Sequence, residues 1–276
     1  MKSVHLLAAA LIVSGAAATP AFAQSDDSWT GGYIGLQGGY RFQPSDKKEQ
    51  IEFDTNLDGK FGDTVATAAA PTVNVFSPGF CGGRAKTTAP AGGCTSDKDK
   101  IDYGVHAGYD VQFGSLVLGL VAEYSRSGIT DSVSAFSTTP ASYTLTRKLK
   151  DNAGLRLRAG VATGDTLFFV TGGGAWGKIR NRFSTTNTTN TFATNGNDDA
   201  WGYKLGGGVE QRLGGGLSLG LQYIYTSLGD DGYRVNAKGG AAGNPFTRVN
   251  TGGTDFRRTG DRFNSSAVSA TINYRF

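Results

Sequence analysis

The sequence predicts an all-β fold: an eight-stranded antiparallel transmembrane up-and-down β-barrel with four long extracellular loops and short periplasmic turns. Three observations lead to this prediction. Apolar and polar residues alternate over eight segments, most of them long enough to cross a bilayer as tilted strands. Short and long connections alternate between the segments. Aromatic residues occur near both ends of the segments, where a membrane meets water.

The start of the chain differs in composition from the rest. An apolar run at residues 6–13 is followed by Ala21-Phe22-Ala23, an A-x-A cleavage site. This pattern predicts a cleaved secretory signal peptide over residues 1–23, and it leaves residues 24–276 as one barrel domain. No later stretch of about 18 apolar residues predicts a transmembrane helix.

The overall composition suits a barrel and excludes some partners. Glycine supplies 42 of 276 residues, about twice its usual ~7% share, and this disfavours helices. A mean hydropathy of −0.26 fits a barrel as well as a soluble protein, because half of each strand faces a polar interior. The basic residues behind the net charge of +4 are scattered among acids, so nucleic acid is not a predicted partner.

The alternation is clearest from Ile101 to Phe113. Every second residue from Ile101 is apolar, and Asp102, His106 and Asp110 lie between them. The same pattern predicts seven further strands, at residues 32–42, 116–125, 152–162, 166–180, 201–212, 217–226 and 265–276. The phase of the segment 166–180 is weak, and we predict that its Phe168, Val170 and Trp176 point outward and its Thr171 inward.

The connections between these segments fall into two classes. Residues 114–115, 163–165 and 213–216 are tight turns, whereas the long polar connections are residues 43–100, 127–150, 181–200 and 228–264. The aromatic residues near the long connections are Tyr40, Phe42, Tyr103, Tyr124, Trp201, Tyr203 and Tyr225, and those near the short turns are Phe113, Phe168, Tyr274 and Phe276. A soluble β-sandwich is the alternative, but it does not explain aromatic residues at both ends.

The inward positions predict a polar cluster inside the barrel. Its members are Gln37, His106, Glu123, Arg156, Arg158, Lys204, Glu210 and Gln222. Buried charges need partners, and Glu123 is expected to pair with Arg156 or Arg158. The interior is interpreted either as a filled core or as a narrow conduit, and the small bore of an eight-stranded barrel favours the core. No serine nucleophile lies beside His106, so the sequence predicts no enzyme.

Two cysteines, Cys81 and Cys94, lie in the first long connection. In an oxidising periplasm they are expected to form a disulfide, which in the chain-entropy model contributes roughly 3 kcal/mol for a loop of this size. A metal site on these two thiolates is the alternative. No histidine or third cysteine lies nearby to complete it.

The same connection contains half of a calcium-loop motif. Asp54, Asn56 and Asp58 occupy the first, third and fifth positions and Gly59 the sixth, as in an EF-hand loop. Val65 stands where the bidentate glutamate belongs, although Asp63 is a possible substitute ligand. The alternative is an Asx-rich surface turn without a metal. Calcium is the only cofactor that the sequence suggests.

Three motifs resemble the opacity-type porin group of small alphaproteobacterial outer-membrane barrels. They are the A-x-A signal end, residues 29–35 (WTGGYIG) and residues 167–176 (LFFVTGGGAW). The C-terminal residues 272–276 (INYRF) look like the signal that the barrel assembly machinery reads at Phe276. The resemblance implies an integral protein of the outer membrane, surrounded by its lipid.

Function is less narrowly predicted than fold. The main hypothesis is a structural and surface-interaction protein whose loops meet a host or cell-surface ligand. The alternative is a passive porin for small polar solutes, although open aqueous channels generally need about 16–18 strands. A lipid-modifying or proteolytic enzyme is the third class, and no adequate group of residues supports it.

Overall fold

The computed structural model describes residues 28–43, 49–67, 73–196 and 199–276. The predicted signal peptide lies outside these residues. The strands are β1 (Gly31–Phe42), β2 (Ile51–Asp54), β3 (Gly79–Gly82), β4 (Arg84–Ala85), β5 (Cys94–Thr95), β6 (Lys100–Phe113), β7 (Leu116–Arg126), β8 (Thr130–Ser137), β9 (Ala141–Thr163), β10 (Thr166–Thr185), β11 (Thr191–Asn195), β12 (Asp199–Gly214), β13 (Leu217–Gly229), β14 (Arg234–Lys238), β15 (Thr254–Arg258) and β16 (Arg262–Arg275). Two short 3-10 helices span Pro90–Gly92 and Pro245–Thr247. Neither of the helices in the described ranges is long and apolar enough to span a membrane.

The long strands pair edge to edge in an antiparallel ring. Its order is β10, β12, β13, β16, β1, β6, β7 and β9, and β9 pairs back with β10. Strand β1 closes against β16, where Tyr33 lies opposite Arg275, so the two ends of the sequence meet in one sheet. The predicted all-β antiparallel barrel is confirmed. We call these strands the ring.

The outer surface of the ring is apolar, as the alternation predicts. Ile101, Leu157 and Val170 are exposed on it, while polar residues that alternate with them, such as Asp102 and Arg158, are buried. The weak segment also has the predicted phase, because Phe168 and Val170 are exposed and Thr171 is buried. An apolar surface of this extent is stable only where lipid covers it.

The long connections differ from the prediction. They were expected to be loops, but they contain all eight of the described strands that lie outside the ring. Strands β9 and β10 themselves run well beyond their predicted ends. Strands β8 and β3 extend the main sheet alongside β9, and β11, β14, β15 and β2 form a second sheet. The prediction of four long loops is therefore not confirmed, because pairing between separate connections places much of their backbone in strands.

The extension of the main sheet and the second sheet enclose a hydrophobic core of their own. Phe53, Phe76, Tyr143 and Phe256 are all buried in it, and the rings of Phe53 and Phe76 stack with centroids 4.3 Å apart. We call this unit the distal sandwich. It lies at the end of the ring from which the long connections leave, opposite the tight turns.

Candidate functional site

The centre of the ring holds a three-residue ionic layer. The Glu123 carboxylate on β7 accepts a hydrogen bond from Arg156 Nη2 at 2.7 Å and another from Lys204 Nζ. All three side chains are at most 3% exposed. Two cations therefore share one carboxylate in a space with almost no access to solvent, and this layer fills the middle of the barrel.

Neutral side chains complete this level. Gln222 Nε2 donates to Gln37 Oε1 at 3.2 Å, and His106 Nε2 lies 2.6 Å from Asn273 Oδ1. Glycine at position 35 makes the second contact possible, because a Cβ there would lie 2.2 Å from Asn273 Oδ1 and 2.5 Å from His106 Nε2. Each of these two bonds joins strands that are separated by one other strand of the ring, so the amide and imidazole groups satisfy one another inside the barrel.

A second ionic layer lies nearer the tight turns. Arg158 pairs with Glu210 at 2.5 Å rather than with Glu123. Asp110 accepts from Arg275 Nη2 at 2.9 Å, and Arg158 also donates to the Tyr33 hydroxyl at 3.2 Å. All eight residues of the predicted interior cluster are thus buried, but they divide between two layers.

Apolar residues close the ring at both ends. At the tight-turn end, Trp29, Val117 and Leu167 form a buried cluster, and Arg212 and Arg275 lie over the Trp29 ring at 5.1 and 5.5 Å. At the other end a buried apolar layer crosses the bore. Its members are Ile129, Leu149, Ala175, Ile179, Ala200, Leu228 and Phe263.

A further ionic cluster, which the sequence did not predict, lies between this apolar layer and the distal sandwich. Asp131 Oδ2 accepts from Arg147 Nε at 2.6 Å and from Arg258 Nη2 at 3.0 Å, and Arg258 also pairs with Glu49. Burial by itself raises the pKa of Asp131, but the guanidiniums of Arg258 and Arg147 outweigh it and hold that pKa below its ordinary value. No local signal marks these residues, because their partners are distant in sequence.

Little space remains between these layers. A cavity of about 20 Å³ lies beside Arg156, Thr171 and Gln222. One water molecule needs roughly 10–15 Å³ by the same measure, so the cavity holds about one. The interior therefore has the character of a filled polar core in the residues that the structure describes.

An open cleft lies on the distal sandwich, outside the ring. Its volume of about 430 Å³ is within the usual range for small-molecule sites. All of its lining side chains are uncharged. Asn187 Nδ2 donates to the Tyr143 hydroxyl at 2.8 Å and to Asn190 Oδ1 at 3.0 Å. Burial raises the pKa of Tyr143, so its hydroxyl stays neutral. No local sequence pattern indicates this cleft, since residues from four separate connections form it.

The calcium-loop residues form a turn at the edge of the distal sandwich. Asp54 Oδ2 accepts from the Gly59 amide at 2.8 Å, and Asn56 Oδ1 accepts from the Asp58 amide at 2.9 Å. Asp63 Oδ2 accepts from both the amide and the hydroxyl of Thr55. These are the bonds of an Asx turn. Within the described ranges no group of three or more His, Cys, Asp or Glu residues is placed to hold a metal, and calcium binding stays a prediction.

The two remaining predicted features lie at opposite ends of the molecule. Cys81 and Cys94 form the predicted disulfide, which joins β3 to β5 in the first long connection. Phe276 is exposed on the outer face at the tight-turn end, and its amide donates to the Gly32 carbonyl at 3.0 Å. Its recognition by the assembly machinery stays a prediction.

An antiparallel barrel with an apolar outer face, an ion-paired interior and aromatic residues at both rims defines an integral outer-membrane β-barrel. The chain belongs to the outer membrane protein beta-barrel domain family, whose model matches residues 7–276. Over 238 residues it is 28% identical to the 31 kDa outer-membrane immunogenic protein of Brucella melitensis, with 83% of each chain covered. The protein of the same name from Brucella suis matches equally. The predicted family and outer-membrane location are confirmed.

Solved structures of outer-membrane proteins show a weaker likeness. The attachment invasion locus protein Ail of Yersinia pestis has 7% identity and a TM-score of 0.30, with 88% of this chain and 99% of that chain covered. The outer membrane protease OmpT of Escherichia coli has 8% identity and a TM-score of 0.34, with 89% and 94% covered. Likeness at this level carries no argument about activity.

Proposed function

We propose that this protein is a closed membrane anchor that presents the distal sandwich at the cell surface, in a structural and surface-interaction role without catalysis. The eight ring strands cross the outer membrane, the four long connections lie on the extracellular side, and the tight turns lie on the periplasmic side. Barrels of this class place their short turns in the periplasm, which supports this orientation.

The filled interior is the observation that carries the proposal. Two ionic layers and an apolar layer lie one above another in the bore. The ionic cluster of Asp131, Arg147, Arg258 and Glu49, which we call the Arg147 cluster, lies beyond them. A solute passing through would have to separate buried ion pairs. Separating such a pair costs much free energy, because it leaves a buried charge without its partner. This argues against the alternative of a passive porin for small polar solutes.

The cleft on the distal sandwich supports the interaction role. Its hydroxyl and amide groups suit a neutral polar ligand, because a charged ligand would find no opposite charge among the lining side chains. Glycans on a host, a matrix or a neighbouring cell carry uncharged hydroxyl groups that can form hydrogen bonds with these side chains. We therefore assign neutral saccharides as the ligand class.

Single-channel recording in planar bilayers tests the closed interior. The wild-type protein and the Arg156→Gln variant are both expected to give near-zero conductance, because the apolar layer at Leu149 and Phe263 is intact in both. A stable open conductance of the wild type would overturn the closed anchor and favour the porin.

Binding to an immobilised panel of neutral oligosaccharides tests the cleft. Thr188→Trp fills the cleft from an exposed position, and Ala193→Trp adds the same group to an exposed position on β11 outside it. The wild type and Ala193→Trp should bind members of the panel, while Thr188→Trp should not. Equal binding by both variants, or none by the wild type, would contradict the assignment.

A further inference from the structure

The outer faces of β9 and β10 carry cations just beyond the lipid-facing aromatic residues. After Trp176, the outward positions of β10 are Lys178, Arg180 and Arg182, and the last two are exposed. On β9 the exposed Lys148 lies directly opposite Arg180. The buried residues that alternate with them, Leu149 and Ile179, fix these cations on the outer face.

A further cation joins this group from β6. A Cβ built on Gly128 would lie 3.6 Å from Lys148 Cε and 3.8 Å from Lys100 Cγ. The two lysine side chains therefore lie together over this glycine. Lys178 is only half-exposed, and we call the four exposed cations, Lys100, Lys148, Arg180 and Arg182, the cationic collar.

The collar lacks internal neutralisation. Like charges placed directly opposite on neighbouring strands destabilise a sheet, as Lys148 and Arg180 do. In the part of the chain that the structure describes, none of the four collar residues forms an ion pair. The nearby Asp151 is already engaged, since it pairs with Arg126 at 2.8 Å and accepts from the Tyr124 hydroxyl at 2.7 Å.

The height of the collar matches the headgroup layer of a membrane. A strand with a rise of about 3.3 Å and a tilt of about 40° advances about 2.5 Å along the barrel axis per residue. Arg180 therefore lies about 30 Å from the level of Phe168, which is at the opposite rim, against an apolar band about 25 Å tall. The collar is thus about 5 Å beyond the hydrocarbon, at the level of lipid phosphates.

We propose that the cationic collar binds the phosphate groups of a phosphorylated glycolipid in the outer leaflet. Arginine binds phosphate through two parallel hydrogen bonds and lysine as a point charge, so one phosphate between Lys148 and Arg180 removes their repulsion. The apolar outer face continues directly below, through Val170, Leu155 and Leu157, where acyl chains pack. This continuity favours a lipid over a free anion. The inference rests on the proposed orientation of the barrel.

Native mass spectrometry of the folded protein tests this inference with three probes: a bisphosphorylated acylated glucosamine disaccharide, the same lipid without phosphates, and inorganic phosphate. The wild type should retain the phosphorylated lipid about tenfold better than the dephosphorylated one, as expected for the loss of a charge-assisted hydrogen bond. Equal retention of both lipids would overturn the proposal. Binding of inorganic phosphate as tight as that of the lipid would also overturn it, since that result describes an anion site only.

A matched pair of double variants separates the collar from general charge. Lys148→Gln/Arg180→Gln should reduce retention of the phosphorylated lipid about tenfold, while Lys60→Gln/Lys86→Gln, at exposed positions of the distal connections, should leave it unchanged. An equal loss in both variants would contradict the collar. The two-lipid comparison on the wild type needs no variant, so it stands if a variant fails to fold. Conductance and oligosaccharide binding do not depend on the collar, and protease treatment of whole cells checks the orientation separately.

Discussion

The central ionic layer predicts that Glu123 and Lys204, although bonded to each other, are not equally replaceable. Glu123→Gln leaves two buried cations, Arg156 and Lys204, without a counter-charge. Lys204→Met leaves the pair of Glu123 and Arg156 intact and fills the same space with an apolar chain. Removing one partner from a buried pair is destabilising by about 3–5 kcal/mol because it leaves a buried charge without compensation. Lys204→Met leaves no such charge, since Arg156 still pairs with Glu123.

We therefore expect Glu123→Gln to lower the free energy of unfolding by about 3–5 kcal/mol and Lys204→Met by less than about 2 kcal/mol. Urea titration of the protein folded in lipid vesicles measures this difference, with the folded fraction taken from gel mobility without heating. Asp165→Asn is the control, because the Asp165 side chain is 63% exposed where it pairs with Arg212 at a tight turn, and a solvent-screened pair contributes at most about 1 kcal/mol. If Lys204→Met destabilises as much as Glu123→Gln, the shared-carboxylate account of this layer is wrong.

Three further predictions concern the distal sandwich. The pKa of Asp131 is lowered in the folded protein, so the stabilisation from this carboxylate is present above its ordinary pKa of about 4 and disappears as the pH falls through the folded value. The urea midpoint should therefore fall less between pH 7 and pH 3 in Asp131→Asn than in the wild type. An equal fall in both proteins would contradict this. The double variant Cys81→Ser/Cys94→Ser should expose the first long connection to protease while the ring keeps its heat-modifiable mobility, and unchanged protease resistance would show that the disulfide does not hold this segment. If the loop of Asp54 binds calcium, added calcium should protect it from protease in the wild type but not in Asp54→Asn, whereas identical cleavage with calcium and with chelator would end the calcium prediction.

The ring was predictable because the polarity of each strand residue depends only on the side of the strand that it faces. Each residue of β6 faces either lipid or the packed interior, so Ile101 and Asp102 differ in character without reference to any other strand. The segment 166–180, whose alternation is weak, also follows this rule, because the apolar Phe168 is exposed to lipid and the polar Thr171 is buried in the interior. Aromatic residues at the rims added the membrane position of the strands.

The pairing of charges was predictable only in part. Inward polarity indicated that Arg156 and Arg158 needed carboxylates, but it did not decide which one each would have. Strand order and register place Arg156 beside Glu123 and Arg158 beside Glu210. The same geometry adds Asp110 and Arg275, whose positions showed only that they face inward.

The distal sandwich could not be predicted from the sequence, because only the tertiary structure brings its core residues together. Phe76, Tyr143, Phe246 and Phe256 lie in three polar connections, and none of those connections has enough apolar residues to predict a core alone. They form one only because the ring brings the ends of the connections close together, which lowers the entropic cost of closing long-range contacts. The sequence by itself thus determined a membrane barrel, through the local choice between lipid and interior at each position. The second sheet, the Arg147 cluster and the cleft followed from contacts between distant segments, which no local pattern encodes.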